Sequence, residues 1–138
     1  MIFDKVQIVV ENQVYTLSLN DEIPEEVVEK ILLVARYTLK GPSDISLYKY
    51  GNFYITTLYD TTTEVIWSIS DDPFEALDYA FRNLVSIDDA FGVLKGCLEG
   101  SEDSKLEAEK LVRDYEELKE AFNKLREEVE AEINMKQH

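Results

Sequence analysis

Residues 45–69, ISLYKYGNFYITTLYDTTTEVIWSI, decide the fold of this chain. Apolar and aromatic residues fill the stretch, and turn-forming residues interrupt it at 51–52 and at 60–63. Gly51-Asn52 suits a tight hairpin turn, because glycine adopts the left-handed backbone conformations that such turns require. The pattern predicts a three-stranded antiparallel meander with strands at 45–50, 53–59 and 64–69.

In this register the side chains of the meander divide between two faces, and both faces are apolar. One face takes Ile45, Leu47, Thr56, Leu58, Val65, Trp67 and Ile69, and the other takes Tyr48, Tyr50, Phe53, Ile55, Tyr59 and Ile66. An antiparallel sheet with one solvated face alternates more cleanly between apolar and polar residues. We therefore expect other elements to cover both faces.

A second hairpin is predicted at the start of the chain, where KVQIVV (residues 5–10) and VYTLSL (residues 14–19) flank a turn at Asn12-Gln13. A two-residue turn there pairs Val10 with Tyr15, Ile8 with Leu17 and Val6 with Leu19. Alternate residues of a strand point to the same side, so this register places all six side chains on one face.

Residues 24–40, PEEVVEKILLVARYTLK, predict a helix. Apolar residues recur at helical spacing at Val28, Ile31, Leu32, Ala35 and Leu39. Asp21 is the expected cap, Pro24 fits the first turn, and Gly41-Pro42 ends the helix. The strand at 45–50 is then expected to be an outer strand, with unpaired backbone groups that accept another chain.

Further helices follow the meander. Asp72-Pro73-Phe74-Glu75 is a capping box that opens a second helix. The segment from 86 to 98 fits either a separate helix or the end of a longer one, and nothing breaks a helix between about 104 and 134. We therefore divide the chain into an α+β domain at 1–100 and a long C-terminal helix at 101–138.

The C-terminal helix carries an apolar stripe with alternating spacings of three and four residues, which is typical of a coiled coil. The stripe includes Leu111, Tyr115, Leu118, Phe122, Leu125 and Val129. Two interpretations fit it. The stripe packs on its own domain, or it associates with a helix of another chain.

The order of elements, β-β-α-β-β-β-α-α followed by a long amphipathic helix, resembles that of the longin (SNARE-like) fold and, more distantly, of the roadblock group. The local similarity lies in YGNFY (residues 50–54) and IWSISDDPF (residues 66–74), where a glycine-containing turn, two strands and an acidic turn lead into a helix. Over residues 3–98 the resemblance implies a five-stranded antiparallel sheet with the first helix on one face and the later helices on the other. It also implies a non-catalytic protein that dimerises, holds a coiled-coil segment or works in complexes with small GTPases and vesicle coats.

Composition narrows the class of protein. The 138 residues carry a formal net charge of −15, which disfavours binding to nucleic acid or to anionic membrane surfaces. The single cysteine, Cys97, excludes an intrachain disulfide and suits a reducing compartment. No apolar run is long enough to span a membrane, and the first ten residues lack the pattern of a signal peptide. We therefore expect a cytoplasmic protein.

The residues of catalysis and metal binding are largely missing. The only histidine is the last residue, His138, and no glycine-rich phosphate loop or nucleophile elbow is present. The acidic pairs Glu25-Glu26, Asp71-Asp72 and Asp88-Asp89 have the ligand type for Mg²⁺ or Ca²⁺. Each pair also begins a predicted helix, where carboxylates are favoured by capping and by the helix dipole, and we prefer this interpretation. We therefore expect no enzymatic activity, no metal and no cofactor.

Two functional hypotheses remain. The first is a non-catalytic protein-interaction module, self-associating as a homodimer, with an adaptor or regulatory role. Its expected partner surface comprises the C-terminal stripe and Ile45, Leu47, Tyr48 and Tyr50 of the strand at 45–50. The alternative is an acidic inhibitor of viral or mobile-element origin, which mimics nucleic acid and occupies the basic groove of its target.

Overall fold

The computed structural model describes residues 1–39, 43–60, 62–84 and 102–136. Its elements, in chain order, are β1 Lys5–Val10, β2 Gln13–Ser18, α1 Glu25–Val28, β3 Leu32–Thr38, β4 Ser43–Tyr50, β5 Phe53–Asp60, β6 Thr63–Ser70, α2 Pro73–Leu84 and α3 Glu102–Lys136. The α+β class predicted from the sequence is confirmed. No helix within the described ranges is both long and apolar enough to cross a membrane.

The predicted meander is confirmed, and it gains one strand. β4, β5 and β6 pair antiparallel in chain order, with Gly51 at a φ of +57° in the β4–β5 turn. β3 pairs antiparallel with β4, so the sheet has the order β3-β4-β5-β6. β1 and β2 form a separate two-stranded sheet. The single five-stranded sheet expected from the sequence is therefore replaced by sheets of four and two strands.

The helix predicted over 24–40 is wrong for most of its length. Only Glu25–Val28 is helical, and Leu32–Thr38 is strand β3. The apolar residues of this segment also fit a strand, because Ala35, Tyr37 and Leu39 alternate with polar or charged residues. Pairing with β4 places these three residues in a hydrophobic cluster. Strand 45–50 is consequently an inner strand, and the expectation that it lies at an edge is wrong.

The first hairpin forms with a turn one residue earlier than predicted. Its turn residues, Glu11 and Asn12, have φ values of 49° and 67°, as a two-residue type I′ turn requires. The register differs from the prediction by two residues, so Val6 faces Leu17. A shift of two residues keeps each side chain on its own face. The predicted apolar face therefore forms, and it buries Val6, Ile8, Val10 and Leu17.

Both faces of the four-stranded sheet are covered, as the doubly apolar meander predicts. The β1–β2 hairpin and α1 cover the hairpin face, whose buried sheet residues include Tyr48, Ile55, Ile66 and Ile69. Helices α2 and α3 cover the helix face, whose buried sheet residues include Ala35, Ile45 and Leu47.

A β-bulge at Trp67 changes the predicted division of side chains. Thr56 pairs with Ser68 and Thr57 pairs with Ile66, so Trp67 has no partner in β5. The extra residue reverses the alternation beyond it. Ile69 therefore lies in the hairpin-face cluster and not, as predicted, on the same face as Trp67.

Helix α2 begins where its capping residue predicts, whereas α1 follows Pro24 without a side-chain cap, so the cap expected at Asp21 is wrong. Asp72 Oδ1 accepts hydrogen bonds from the amides of Phe74 at 2.8 Å and Glu75 at 3.3 Å, which confirms the cap of α2. α3 extends two residues beyond each end of the predicted range and is about 52 Å long at 1.5 Å per residue. The segment 86–98, for which the sequence leaves one or two helices open, lies outside the described residues.

Two adjacent buried threonines of β5 differ in whether their hydroxyl groups have partners. Thr56 is 0% exposed and Thr57 is 1% exposed. Thr57 Oγ1 donates a hydrogen bond to Glu64 Oε1 at 2.9 Å, whereas Thr56 Oγ1 has no hydrogen-bond partner among the described residues. A buried polar group without a partner destabilises the folded state. The pair therefore allows a matched comparison on one strand.

We expect Thr56→Val to raise the free energy of unfolding by about 1 kcal/mol, because valine keeps the shape and removes the unsatisfied hydroxyl. We expect Thr57→Val to lower the free energy of unfolding by about 1 kcal/mol, because it removes a made hydrogen bond. Urea unfolding of the two variants beside the parent measures both changes. Changes of the same sign in the two variants would contradict the hydrogen-bond assignment.

Candidate functional site

A cleft of about 380 Å³ opens where α1 meets the hairpin face of the sheet. The residues that line it are Glu22, Ile23, Glu25, Val28, Arg36, Asp44, Tyr59, Thr62 and Glu64. They come from α1 and the segment before it, from the adjacent strands β3 and β4, and from the β5–β6 turn and the strand residues beside it. The fold therefore assembles the cleft from three separate parts of the chain.

Hydrogen bonds between side chains cross the four strands beneath the cleft. Arg36 Nε donates to Ser46 Oγ at 3.0 Å, and Arg36 Nη2 donates to Tyr48 Oη at 3.2 Å. Tyr48 Oη in turn donates to Glu64 Oε1 at 2.8 Å, and the same oxygen accepts from Thr57 Oγ1. The strand register aligns these groups, since Arg36, Ser46 and Thr57 are successive partners across the sheet. We call these five residues the hairpin-face network.

Tyr48 is a neutral hydrogen-bond donor in this network. Burial raises the pKa of the Tyr48 hydroxyl, and the Glu64 carboxylate beside it raises the pKa further, while the Arg36 guanidinium acts in the opposite direction. A tyrosine that serves as a general base needs a pKa lowered toward neutrality. The raised pKa instead favours the protonated form, which holds the Glu64 carboxylate in place.

The cleft carries an excess of negative charge. Four carboxylates and one guanidinium line it. In the part of the chain that the structure describes, no cationic side chain lies within ion-pair distance of Glu22, Glu25 or Asp44. Like charges that share a concave surface repel one another, and a bound cation relieves that repulsion. The cleft therefore has the chemistry to hold a cationic group.

The hydroxyl groups of the hairpin-face network lie beneath the surface of the cleft. The two hydroxyl groups that donate to Glu64 belong to Tyr48 and Thr57, and each residue is 1% exposed. Within the ranges that the structure describes, no three side chains of the metal-binding types are grouped to hold an ion.

The partner-binding residues predicted on strand 45–50 lie inside the protein. Ile45 and Leu47 are 0% exposed, and Tyr48 is 1% exposed. Tyr50 is half-buried, and its hydroxyl bonds to the backbone of Val9, accepting from the amide at 3.2 Å and donating to the carbonyl at 3.1 Å. Ile45, Leu47 and Tyr48 therefore serve the core, and Tyr50 joins the two sheets.

The C-terminal stripe packs on its own domain over the part for which side chains are described. The members buried in the helix-face cluster are Phe122, Leu125 and Val129. Leu118 is half-buried against this cluster, and the ring of Tyr115 lies 5.6 Å from that of Phe81. The side chain of Leu111 lies outside the described residues. Of the two interpretations of the stripe, the intrachain one is therefore observed from Tyr115 to Val129.

The acidic cleft itself was not foreseen from the sequence. Arg36 was assigned to a helix, and Glu25 was interpreted only as a helix-start residue. One signal was present: Arg36 and Thr38 alternate with apolar residues, which identifies a strand with one polar face. The meeting of these residues with Glu64 depends on the order of strands in the sheet, which no local pattern contains.

No protein family, curated protein or solved structure matches this chain. The longin resemblance therefore stays a prediction.

Proposed function

We propose that this chain is a non-catalytic protein-interaction module whose cleft receives a lysine or arginine side chain of a partner protein. The observation that carries the proposal is the group of carboxylates in a concave site without a matching number of cations. A net charge of −15 also attracts basic partners over distance and speeds their encounter with the chain.

The lining of the cleft suits the whole of a basic side chain. Lysine and arginine have an apolar stem and a charged head. Ile23 and Val28 supply apolar contacts for the stem, while Glu25 and Asp44 supply carboxylates for the head. Arg36 is engaged by Ser46 and Tyr48, so its guanidinium stays in the wall of the cleft.

A titration followed by NMR tests this proposal with a small probe. We expect N-acetyl-lysine methylamide and its arginine counterpart to bind in the range of about 1–10 mM, because a single side chain offers few contacts. Backbone amide signals of residues that line the cleft should shift and saturate. The norleucine counterpart has nearly the same stem without the charge, and we expect it to cause no saturable shifts.

A pair of variants locates the binding. Glu25→Gln combined with Asp44→Asn should weaken binding of the lysine probe about tenfold, since charge-assisted hydrogen bonds are lost. Glu26→Gln is the matched control, because Glu26 is an exposed neighbour of Glu25 that does not line the cleft. Equal shifts with the norleucine probe, or equal affinity in the double variant and the control, would contradict the proposal.

Self-association as a homodimer stays a prediction and has fewer grounds than the sequence suggests. The described part of the C-terminal stripe and the strand at 45–50 are both buried within the chain. Two copies with a net charge of −15 each also repel at low ionic strength. The cytoplasmic location likewise stays a prediction, made from the single cysteine and from a sequence without a signal-peptide pattern or a long apolar run.

The acidic-inhibitor hypothesis also requires a basic target, but it places the contact on an extended charged surface. Over the part of α3 whose side chains are described, Lys119 and Lys124 interrupt the exposed glutamates. A row of carboxylates with lysines among them is a poor mimic of a phosphate backbone, whose charges are all negative. The cleft is therefore the better-supported site.

A further inference from the structure

We propose that the outer edge of β3 pairs with an extended segment of the partner, and that this segment delivers its basic side chain to the cleft. The inference rests on the proposed function of the cleft and adds the mode of binding and the pattern of the ligand. Addition of a strand to a sheet edge is a general mode of peptide recognition.

Of the two edges of the four-stranded sheet, the N-terminal segment closes the one at β6. The amides of Phe3 and Ile23 donate to the carbonyl oxygens of Ile69 at 2.9 Å and Glu64 at 2.8 Å. The outer edge of β3 forms no backbone hydrogen bond with any described residue. An unpaired edge of this kind accepts another strand.

The register shows which backbone groups of β3 face outward. The amide of Leu39 donates to the carbonyl of Ser43 at 2.9 Å, so this pair is a hydrogen-bonded one. Hydrogen-bonded and non-hydrogen-bonded pairs alternate along an antiparallel ladder. Arg36 and Thr38 therefore belong to non-hydrogen-bonded pairs, and their N–H and C=O groups point away from β4.

The side chains beside this edge define the pattern of the ligand. Leu33 pairs with Tyr48 and Thr38 pairs with Asp44, so both side chains lie on the hairpin face. Leu33 is 42% exposed. Leu33 and Thr38 are five positions apart along β3, and the bulge between them takes up one of these positions. A paired strand therefore spans the same distance in about four residues. A ligand with an apolar residue beside Leu33 then places the side chain about four positions away beside Thr38, and a long basic side chain reaches from there toward Asp44, the partner of Thr38 in β4.

A second copy of this chain fits the edge less well than such a ligand. Residues 30–40 contain Lys30, Arg36 and Lys40 and no acidic residue. A second β3 strand, Leu32–Thr38, would bring Arg36 and no acidic residue to the edge, and like charges on adjacent strands are destabilising. A segment with one basic residue placed at the cleft avoids that repulsion.

Two peptides and one edge variant test the inference. The peptides are acetylated and amidated SVTTTKS and its reverse, SKTTTVS, which cover both strand directions. We expect one of them to bind the parent chain more tightly than the lysine probe does, as measured by calorimetric titration.

Thr38→Pro should weaken that binding about tenfold or more, because proline removes an outward N–H. The same change leaves the hydrogen bonds between β3 and β4 intact, since the amide of Thr38 does not face β4.

N-methylated peptides provide a test that does not depend on a protein variant. Alternate amides of a paired strand face the sheet edge, so methylation of one alternate set should abolish binding and methylation of the other should not. The combined Glu25→Gln and Asp44→Asn variant should remove the preference for the lysine peptide over its norleucine counterpart.

The outcomes separate the inference from the proposed function. Strand pairing is wrong if the Thr38→Pro variant binds the peptide as tightly as the parent chain does and if both methylated peptides bind as tightly as the unmethylated one. In that case, loss of binding in the combined Glu25→Gln and Asp44→Asn variant still supports the cleft proposal. Binding of the lysine probe without binding of either peptide also overturns the inference alone. Failure of both the probe and the peptides overturns both proposals. Light scattering that shows a dimer at about 100 µM, dissociated by Thr38→Pro, would place a second copy on the edge and overturn the inference.

Discussion

Leu125→Ala is expected to lower the free energy of unfolding by about 3–4 kcal/mol, with no dependence of the melting temperature on protein concentration. Leu125 is 0% exposed and lies in the helix-face cluster. Truncation of a fully buried leucine removes its transfer free energy and leaves a cavity. The concentration dependence distinguishes packing within one chain from association between chains, because only the latter is shifted by mass action.

The contacts of α3 explain why Leu125→Ala should destabilise the whole domain. The ring of Phe122 lies 5.5 Å from that of Phe81 on α2, and Arg126 forms an ion pair with Asp78 on the same helix. The guanidinium of Arg126 also lies 5.4 Å from the ring of Phe74. α3 thus joins α2 as part of the layer that covers the helix face.

Ile133→Ala is the matched control for this prediction, since Ile133 is an apolar residue of the same helix and is 37% exposed. We expect it to lower the free energy of unfolding by less than about 1 kcal/mol. Thermal and urea unfolding from about 5 to 100 µM protein measures both variants. A loss below about 1 kcal/mol for Leu125→Ala, or a melting temperature that rises with concentration, would show that the stripe packs on another chain.

The parts of the fold that the sequence predicts well are those with strong local chemistry. Gly51 sets a turn between two apolar strands, and Asp72 with Pro73 starts a helix. Each signal lies within a few residues of the structure that it determines. The same is true of the long amphipathic pattern of α3, whose helical period is sustained over many turns.

The segment 31–39 shows where local patterns fail. Its apolar residues fit a helical period and a strand period about equally well, so propensity does not decide between them. The structure is decided by β4, whose otherwise unpaired edge gains a partner in β3. Hydrogen bonds between strands depend on contacts distant in sequence, and for that reason the pattern alone predicts the wrong element.

The candidate site was harder to predict than the fold for a related reason. Glu25, Arg36 and Glu64 are far apart in the sequence and meet only through the sheet order. The partner surface predicted on strand 45–50 followed from treating that strand as the edge. The edge strand is β3, so the side chains proposed to contact a partner are those of Leu33, Arg36 and Thr38.

Tyr48→Phe is expected to lower the free energy of unfolding by about 2 kcal/mol at pH 7, because the hydroxyl bonds to two charged groups. Tyr48 Oη donates to the Glu64 carboxylate at 2.8 Å and accepts from the Arg36 guanidinium at 3.2 Å. Phenylalanine fills the same space, so the change removes the hydrogen bonds and leaves the packing. Tyr50→Phe is the control, since its hydroxyl bonds only to backbone groups of Val9, and we expect a loss of about 1 kcal/mol.

The pH dependence of this loss gives the sharper test of the hairpin-face network. Burial and the Glu64 carboxylate raise the pKa of Tyr48 in the folded state above its ordinary value of 10.0. A raised pKa in the folded state stabilises the protein fully below the unfolded-state pKa, and this stabilisation is lost as the pH rises through the folded-state pKa. The parent chain should therefore lose stability above pH 10 faster than Tyr48→Phe does, and the gap between the two should narrow. A gap that stays constant from pH 7 to about 11 would mean that the Tyr48 hydroxyl titrates alike in the folded and unfolded states, and the network would then not hold Glu64 as described.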